Sequence, residues 1–473
     1  MSKFIFLFSF LPFFLFGQIS GDWHASFTIA GKSNRMDLQI SLTPEPSVTL
    51  TNPDAKKPEP IPMTNVVVTD SSVSFSYQKI GLSFNGKYDH DGGTLMGVMS
   101  QSDVRWTVVF RRELLEIAKI NRPQEPVAPF DYSIEEVLIK NGDIVLGATL
   151  TLPKDQIHPF PIVVLASGSG AQDRNCEIMG HKSFWVIADF LAQNGIGCLR
   201  FDDRGVGKST GVFAKASLLD FGSDVSACVN FLAQDERFYD CPIGIAGHSE
   251  GGMHALIAAK KNKSVEFVIE LASVGTSGKN VLIEQQYLIP LAAGKDTAYA
   301  TWNRDVYAGL SEIIARYPQK KASDRIATFL DTMYHRAPAD YQAMTNMFNF
   351  KVGLNVFLNN EWGRQFITFD TEKYLKKLKI PILAINGSRD IQVPPYPNKQ
   401  GFSTHFAKQT QSISEAVIIE GLNHLFQRCE RCDIMEYGDL EETFSPEVLQ
   451  KIREWIFRTL FSVLRPTSLL RYL

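Results

Sequence analysis

The sequence predicts an α/β fold, a mostly parallel sheet with helices on both faces, preceded by a small all-β domain, and three observations predict it. Up to about residue 113 short segments alternate apolar and polar residues with period 2. Beyond about residue 130 short runs that are apolar throughout alternate with stretches of helical periodicity, and a proline-rich segment separates the two regimes. Strict alternation buries one face of an antiparallel sheet, whereas a continuously apolar run belongs to a strand covered on both sides.

In chain order, Met1 to Gln18 carries one cation, Lys3, and then a Phe- and Leu-dominated run from Phe4 to Phe16. That run is shorter than the roughly 20 apolar residues needed to span a bilayer, so residues 1–18 are expected to be a signal peptide. The implied location is periplasmic or extracellular; an uncleaved anchor or a buried strand is the competing reading. No later segment is long and apolar enough to be a membrane span, and no cysteine follows the run to carry a lipid.

Residues 21–113 follow as the small antiparallel β domain, a barrel or a sandwich. Its pattern is clearest in Met36 to Leu42, Val73 to Tyr77 and Arg105 to Phe110, with Asp91-Gly92-Gly93 as a turn. No catalytic constellation stands out here, and His24 and His90 read as surface or turn residues. Residues 114–129 form a linker in which Arg122 to Pro129 holds three prolines, a composition that favours extended backbone.

The α/β domain spans residues 130–473. Strands are expected at Ile144–Leu152, Ile162–Ala166, Gly197–Phe201, Ile243–Gly247, Phe267–Leu271, Ile382–Asn386 and Ala416–Ile419, and helices at Phe184–Gln193 and Asp220–Ala233. One interval, about 277–377, is helical in pattern and lies between two strands. Such an insertion is expected to cap a pocket at the strand ends, or to be a structural helical cap without a gating role.

Composition narrows the function. The 473 residues exceed one ordinary core, which agrees with two domains. With 48 basic against 51 acidic side chains, the chain has no electrostatic footprint for nucleic acid. Six cysteines are too few for a disulfide scaffold. Cys429 and Cys432 form a C-x-x-C pair without a second ligand pair at zinc spacing, which leaves a local disulfide or two ordinary thiols. No metal and no organic cofactor are expected. Gly205-x-Gly207-x-Ser209 lacks the lysine-bearing phosphate-loop pattern, so no nucleotide is expected either.

The sharpest chemical signal is Gly247-His248-Ser249-Glu250-Gly251, with the apolar run Ile243 to Ala246 before it and the helical stretch Met253 to Lys260 after it. Glycines at 247 and 251 let strand and helix pack around a strained turn that lifts a serine hydroxyl clear of the sheet edge. The backbone N–H of Glu250 at that turn points toward the place where a tetrahedral oxyanion forms. Further motifs follow other strands: Ser167 to Arg174, Asp202 to Ser209, Asn386 to Pro394, and Gly421-Leu422-Asn423-His424.

On these five motifs the chain from about Phe130 onward resembles the α/β-hydrolases, and more narrowly bacterial carboxylesterases and serine-aminopeptidase-like hydrolases. The resemblance does not include the β domain. It implies a serine nucleophile, a histidine base and an acid in that relative layout, and the residues can be weighed on their own merits.

A serine hydroxyl needs a base to take its proton. Of nine histidines, His424 alone follows a terminal strand in a short loop, while His248 beside the serine is expected to point away from the reacting face. Asp390, just past the strand Ile382–Asn386, is the leading acid, with Asp370 and Glu420 as alternatives. Ser169 is the expected second oxyanion donor, with Gly170 next; Ser167 stands where many esterases have histidine. Asp173-Arg174 and Asp203-Arg204 are expected to form structural ion pairs. The expected function is hydrolysis of a small carboxylic ester through an acyl-enzyme, with Ser249, His424 and Asp390 as triad. The alternative is a serine peptidase or aminopeptidase with the same triad, and the remote one a non-catalytic binding protein. A small-molecule ester or peptide is the expected partner.

Overall fold

The computed structural model describes residues 19–463 except positions 30–31, 56, 90–91, 102–103, 114–120, 156, 345 and 409. The expected signal peptide, residues 1–18, together with His90 and the start of the linker, therefore lies outside the described residues. The chain divides into two compact units, Met1–Lys119 and Ile120–Leu473.

In the first unit, β1 (Gly21–Ile29), β2 (Lys32–Ser41), β3 (Ser47–Thr51) and β4 (Ile61–Pro62) make one antiparallel sheet. A second contains β5 (Thr64–Val68), β6 (Ser72–Tyr77), β7 (Leu82–Asp89), β8 (Thr94–Gln101) and β9 (Val104–Phe110). Alternation does the work the sequence predicts: Val73 and Phe75 of β6, Leu82 and Phe84 of β7, and Val108 and Phe110 of β9 turn into one shared core. Paired backbone bonds between His24 and Arg111, 2.7 and 2.8 Å, join β1 to the end of β9, as a barrel requires. His24 is not a turn residue; it lies within β1, and its Nδ1 meets Asp37 at 2.8 Å.

The second unit starts earlier than the prolines suggested. Arg122 Nη2 donates to Gly438 O at 2.6 Å, Gln124 bonds Phe444 through both ends of its amide, and Lys182 pairs with Glu125 at 3.0 Å. Residues 122–125 fold into a turn closed by Glu125 N donating to Arg122 O at 3.0 Å, so they are fastened to this unit and are not a loose tether.

Its sheet has eight strands, β10 (Tyr132–Asn141), β11 (Ile144–Pro153), β12 (Ile162–Ala166), β15 (Gly197–Phe201), β16 (Ile243–His248), β17 (Val265–Leu271), β18 (Ile382–Gly387) and β19 (Glu415–Ile419); the short pair β13 (Glu177–Ile178) and β14 (His181–Lys182) stands apart. The order is β10-β11-β15-β12-β16-β17-β18-β19, antiparallel at β10/β11 and β11/β15 and parallel thereafter. β10 escaped the sequence reading because it is an edge strand carrying Glu135, Glu136 and Lys140, with Leu138 exposed.

Helices α1 (Ser183–Gln193), α2 (Leu218–Ala233) and α3 (Glu250–Lys261) precede the insertion, and α11 (Pro395–His405) and α12 (Pro446–Val463) follow it. Strand β12 explains the layering. Ile162, Val164 and Ala166 pack with Val225 of α2 and Met253 of α3, while Val163 and Leu165 pack with Ile187 of α1 and Trp455 of α12. A strand apolar at every position is therefore covered on both sides. The insertion is α4 (Gly278–Ala292), α5 (Thr297–Arg316), α6 (Gln319–His335), α7 (Ala339–Met344), α8 (Met347–Leu358), α9 (Glu361–Thr368) and α10 (Thr371–Leu375), with a core of its own around Trp302, Leu310, Ile326, Leu330 and Phe350. Among the described residues no helix is long and apolar enough to cross a membrane.

One buried group makes this sheet pH-sensitive. Glu270 of β17 is fully buried, and burial, opposed only by Ser273, pushes its carboxyl up to about 8. An unfolded glutamate titrates near 4.5, so between those values the folded state holds the extra proton and stability falls as pH rises. Glu270→Gln is expected to be more stable than wild type by roughly 2 kcal/mol at pH 8.5, with the difference shrinking toward pH 5. Urea midpoints across this range test it; a difference independent of pH counts against the assignment.

Candidate active site

Strand β16 ends at His248, α3 begins at Glu250, and Ser249 between them has φ +56° and ψ −122°. A non-glycine residue there carries strain on the order of 1–3 kcal/mol, which the surroundings must hold. They do so by close backbone contact. A Cβ on Gly247 would lie 2.3 Å from Gly251 O, and one on Gly251 2.1 Å from Ala166 O, so neither position admits a side chain. Ser249 N donates to Leu271 O at 2.8 Å, tying the turn to β17. Ser249 is left half-buried at the wall of a cavity of about 360 Å³.

His424 reaches the same cavity from the loop after β19. Asn423 shapes that loop, its Oδ1 accepting the N–H groups of Leu425 and Gln427 at 2.9 and 3.0 Å. His424 Nδ1 lies 2.8 Å from Asp390 Oδ2, and both residues are buried. Asp390 Oδ1 accepts the N–H groups of Gln392 and Val393 at 2.8 and 2.9 Å. Because a carboxylate held this way accepts only, the imidazole proton sits on Nδ1 and Nε2 is left with its lone pair. Among the hydrogen bonds of the described residues, none joins Ser249 Oγ to this ring; the two share the cavity wall. Of the alternative acids, Asp370 caps α10 and pairs with Lys373 at 3.1 Å, and Glu420 lies in the loop before His424.

The segment Ser167 to Gln172 passes over the serine: a Cβ on Gly168 would stand 3.0 Å from Ser249 Cβ. It is pinned at three points. Ser167 Oγ donates to Asp203 Oδ1 at 2.8 Å, Gln172 N to Asp203 Oδ2 at 2.9 Å, and Ser169 Oγ to Glu250 Oε2 at 2.6 Å. Burial pushes the Asp203 carboxyl up to about 6. The ion pairs differ from expectation. Asp203 serves the loop, Arg204 pairs with Asp224 at 2.7 Å, and Arg174 pairs with Asp202 at 2.7 Å rather than with its neighbour Asp173.

His248 is a buried neighbour of the serine, and its ring Nε2 lies 2.9 Å from His424 O. Since a carbonyl only accepts, His248 donates and so holds the backbone of the histidine loop. Burial, with His424 nearby, lowers its pKa to about 3, which keeps it neutral in this role. Nothing in the flanking sequence reports a partner 176 positions away.

Cys429 and Cys432 are joined by a disulfide that closes the turn after His424, so their sulfurs hold no metal. The carboxylate of Glu436 gathers the N–H groups of Glu430, Arg431 and Cys432 behind it.

Two outcomes follow. Gly251→Ala is expected to cost about 3 kcal/mol or to prevent soluble expression, because the new Cβ meets backbone that cannot yield; a melting temperature within 2 °C of wild type would contradict the packing account. For His248, the unfolded side chain takes a proton near pH 6.5 and the folded one resists until about 3. Its contribution to stability is therefore lost as pH falls through that window. His248→Gln keeps an N–H donor without the titration, so its stability relative to wild type should rise steadily from pH 7 to pH 4 in urea melts.

Residues 180–323 match the family model described as serine aminopeptidase, S33. No curated protein sequence matches the chain. Among solved structures the chain is similar to Est1E of Butyrivibrio proteoclasticus with ferulic acid bound, with 17% identity, 68% of this chain and 99% of that one covered, and a TM-score of 0.41. It is similar as well to a proline iminopeptidase of Mycobacterium smegmatis, with 14% identity, coverage of 70% and 100%, and a TM-score of 0.44. The Pyrococcus furiosus esterase Pf2001 gives 15%, 72% and 98%, and 0.41. With its mostly parallel sheet, helices on both faces and helical insertion before β18, the second unit of this chain has the α/β-hydrolase fold.

Proposed function

We propose that the protein is a serine hydrolase that cleaves carboxylic esters through an acyl-enzyme. The observation that carries this reading is the Asp390–His424 pair, in which one carboxylate oxygen is filled by two backbone N–H groups and the other by Nδ1. That arrangement leaves Nε2 basic and directed by its partner, as a general base must be. Ser249 Oγ attacks the ester carbonyl carbon while Nε2 takes its proton; the oxyanion is met by the backbone N–H groups of Glu250 and Ser169. The protonated imidazole then gives its proton to the leaving alkoxide, which departs as an alcohol. Water, activated by the same nitrogen, releases the acid and restores the serine.

Ester cleavage is preferred to aminopeptidase action on a specific ground. The cavity beside Ser249 is lined by amides, aromatic rings and aliphatic groups, including Gln172, Gln285, Gln286, Gln392, Phe357 and Tyr437, and no Asp, Glu, Lys or Arg is among its lining residues. An α-ammonium entering it would be desolvated without a counter-charge, at a cost of several kcal/mol. An uncharged ester has no such penalty. The apolar run within 1–18 supports an exported enzyme, periplasmic or extracellular, and the charge balance supports a small molecule rather than nucleic acid as its partner.

Purified enzyme is expected to turn over short p-nitrophenyl esters at least about 100-fold faster in kcat/KM than aminoacyl anilides. It should be labelled by a fluorophosphonate, and Ser249→Ala should lose labelling together with on the order of 10⁴-fold in kcat. Faster cleavage of the anilides would transfer the assignment to a peptidase, and a Ser249→Ala variant that still labels would remove the nucleophile.

A further inference from the structure

The relay just described uses the peptide N–H of Glu250 and leaves its side chain without a role. Yet that carboxylate is only 3% exposed. An anion one residue along from the nucleophile is electrostatically adverse, because it opposes the negative charge that develops on the substrate oxygen. Burying it without partners would cost several kcal/mol more. Its partners are therefore informative.

Oε2 accepts from Ser169 Oγ at 2.6 Å, and Oε1 from Trp362 Nε1 at 2.7 Å and His254 Nε2 at 3.2 Å. Burial alone would raise the carboxyl; the donors from His254, Ser169 and Trp362 more than offset this and hold it below the usual range. The three come from separate parts of the unit. Ser169 is in the loop over the nucleophile, His254 is one turn along α3, and Trp362 is on α9 of the helical insertion. Ser169 and Trp362 both line the cavity, and Trp362 continues an aromatic wall through Phe357 and Phe366, with ring centroids 5.4 and 5.5 Å away. The carboxylate thus sits behind the wall and joins two of its faces. With both oxygens engaged by protein donors and the residue only 3% exposed, it is not presented to a substrate ammonium.

We propose that Glu250 is a positioning residue that ties the helical insertion to the oxyanion loop, so that the place of Trp362 over the cavity sets the place of the Ser169 peptide N–H. The proposal rests on the reading of Ser169 and Glu250 as oxyanion donors. It has a consequence for selectivity. An acyl group that packs on the aromatic wall and steadies Trp362 is rewarded in kcat, not only in KM, because the wall and the oxyanion donor share one anchor.

The test compares Glu250→Leu, Ser169→Ala, Trp362→Phe and the double variant Glu250→Leu/Trp362→Phe on one p-nitrophenyl ester, after matching circular dichroism spectra. Leucine keeps the approximate size but neither accepts nor donates a hydrogen bond, so it releases Ser169 and Trp362 together, whereas a glutamine could still bond both. Ser169→Ala keeps the peptide N–H and removes only the tether. Each single change should lower kcat about 10- to 100-fold while KM stays within about 3-fold. The double variant should be no worse than the poorer single one, since both remove the same link. Effects that multiply in the double variant, that appear only in KM, or that are absent would overturn the proposal. Should Glu250→Leu fail to fold, Ser169→Ala and Trp362→Phe with their own double variant give the same decision. Ser249→Ala separates the two levels: if it is inert while the Glu250 variants match wild type, the tether is wrong and the serine hydrolase stands, whereas an active Ser249→Ala sinks the underlying reading.

Discussion

Backbone packed on backbone around Ser249 is the constraint from which the site is built. Gly247 lies against Gly251, and Gly251 against Ala166, at distances that leave no room for a single carbon on either glycine. That contact brings three things together: the end of β16, the first turn of α3, and the loop leaving β12. The strained φ of Ser249 is affordable only because those three segments are locked by the sheet on one side and by α2 and α3 on the other. Loosening any of them would relax the serine into an ordinary conformation and take the Glu250 peptide out of line with the loop above it.

Around this turn the buried carboxylates of Asp390, Asp203 and Glu250 have each been given donors, and the pattern of donors describes how the site is aimed. Asp390 spends one oxygen on the backbone and one on His424, so its direction is set before any substrate arrives. Asp203 clasps the two ends of the loop from Ser167 to Gln172, and Glu250 holds its middle. His248 stays neutral and braces the backbone of His424. Preorganisation of this kind places the reorganisation cost in folding and not in the reaction.

How much of this the sequence disclosed depends on the range of each interaction. Strands β12 and β15 are read to the residue, and β16 to β19 within two residues, because a run apolar at every position is a local property. The elbow is equally local, and Asp390 and His424 declare themselves by standing just past strands. β10 was missed because an edge strand carries charge and loses the apolar signature. The side chains of Glu250 and His248 were missed for another reason. Their partners are 81, 112 and 176 positions away, and neither glutamate nor histidine beside a serine states whether it faces water, core or a neighbouring loop. The proline-rich stretch differs from expectation in the opposite direction, since Arg122 to Glu125 form a turn whose Arg122 and Gln124 side chains bond across to Gly438 and Phe444.

The helical insertion has a core of its own, around Trp302, Leu310 and Phe350, while Val281, Trp362 and Phe366 also pack with the core of the sheet. What it brings to the cavity is chemically uniform: leucine, glutamine and aromatic side chains, with no charge among the lining residues. The carboxylates of Asp390 and Glu250 are both buried and engaged with protein donors. A cavity that keeps such charges behind its walls favours neutral ligands by desolvation. On the proposed ester reading, selectivity lies in how an acyl group meets the aromatic wall, the same wall whose Trp362 is bonded to Glu250, the residue following Ser249.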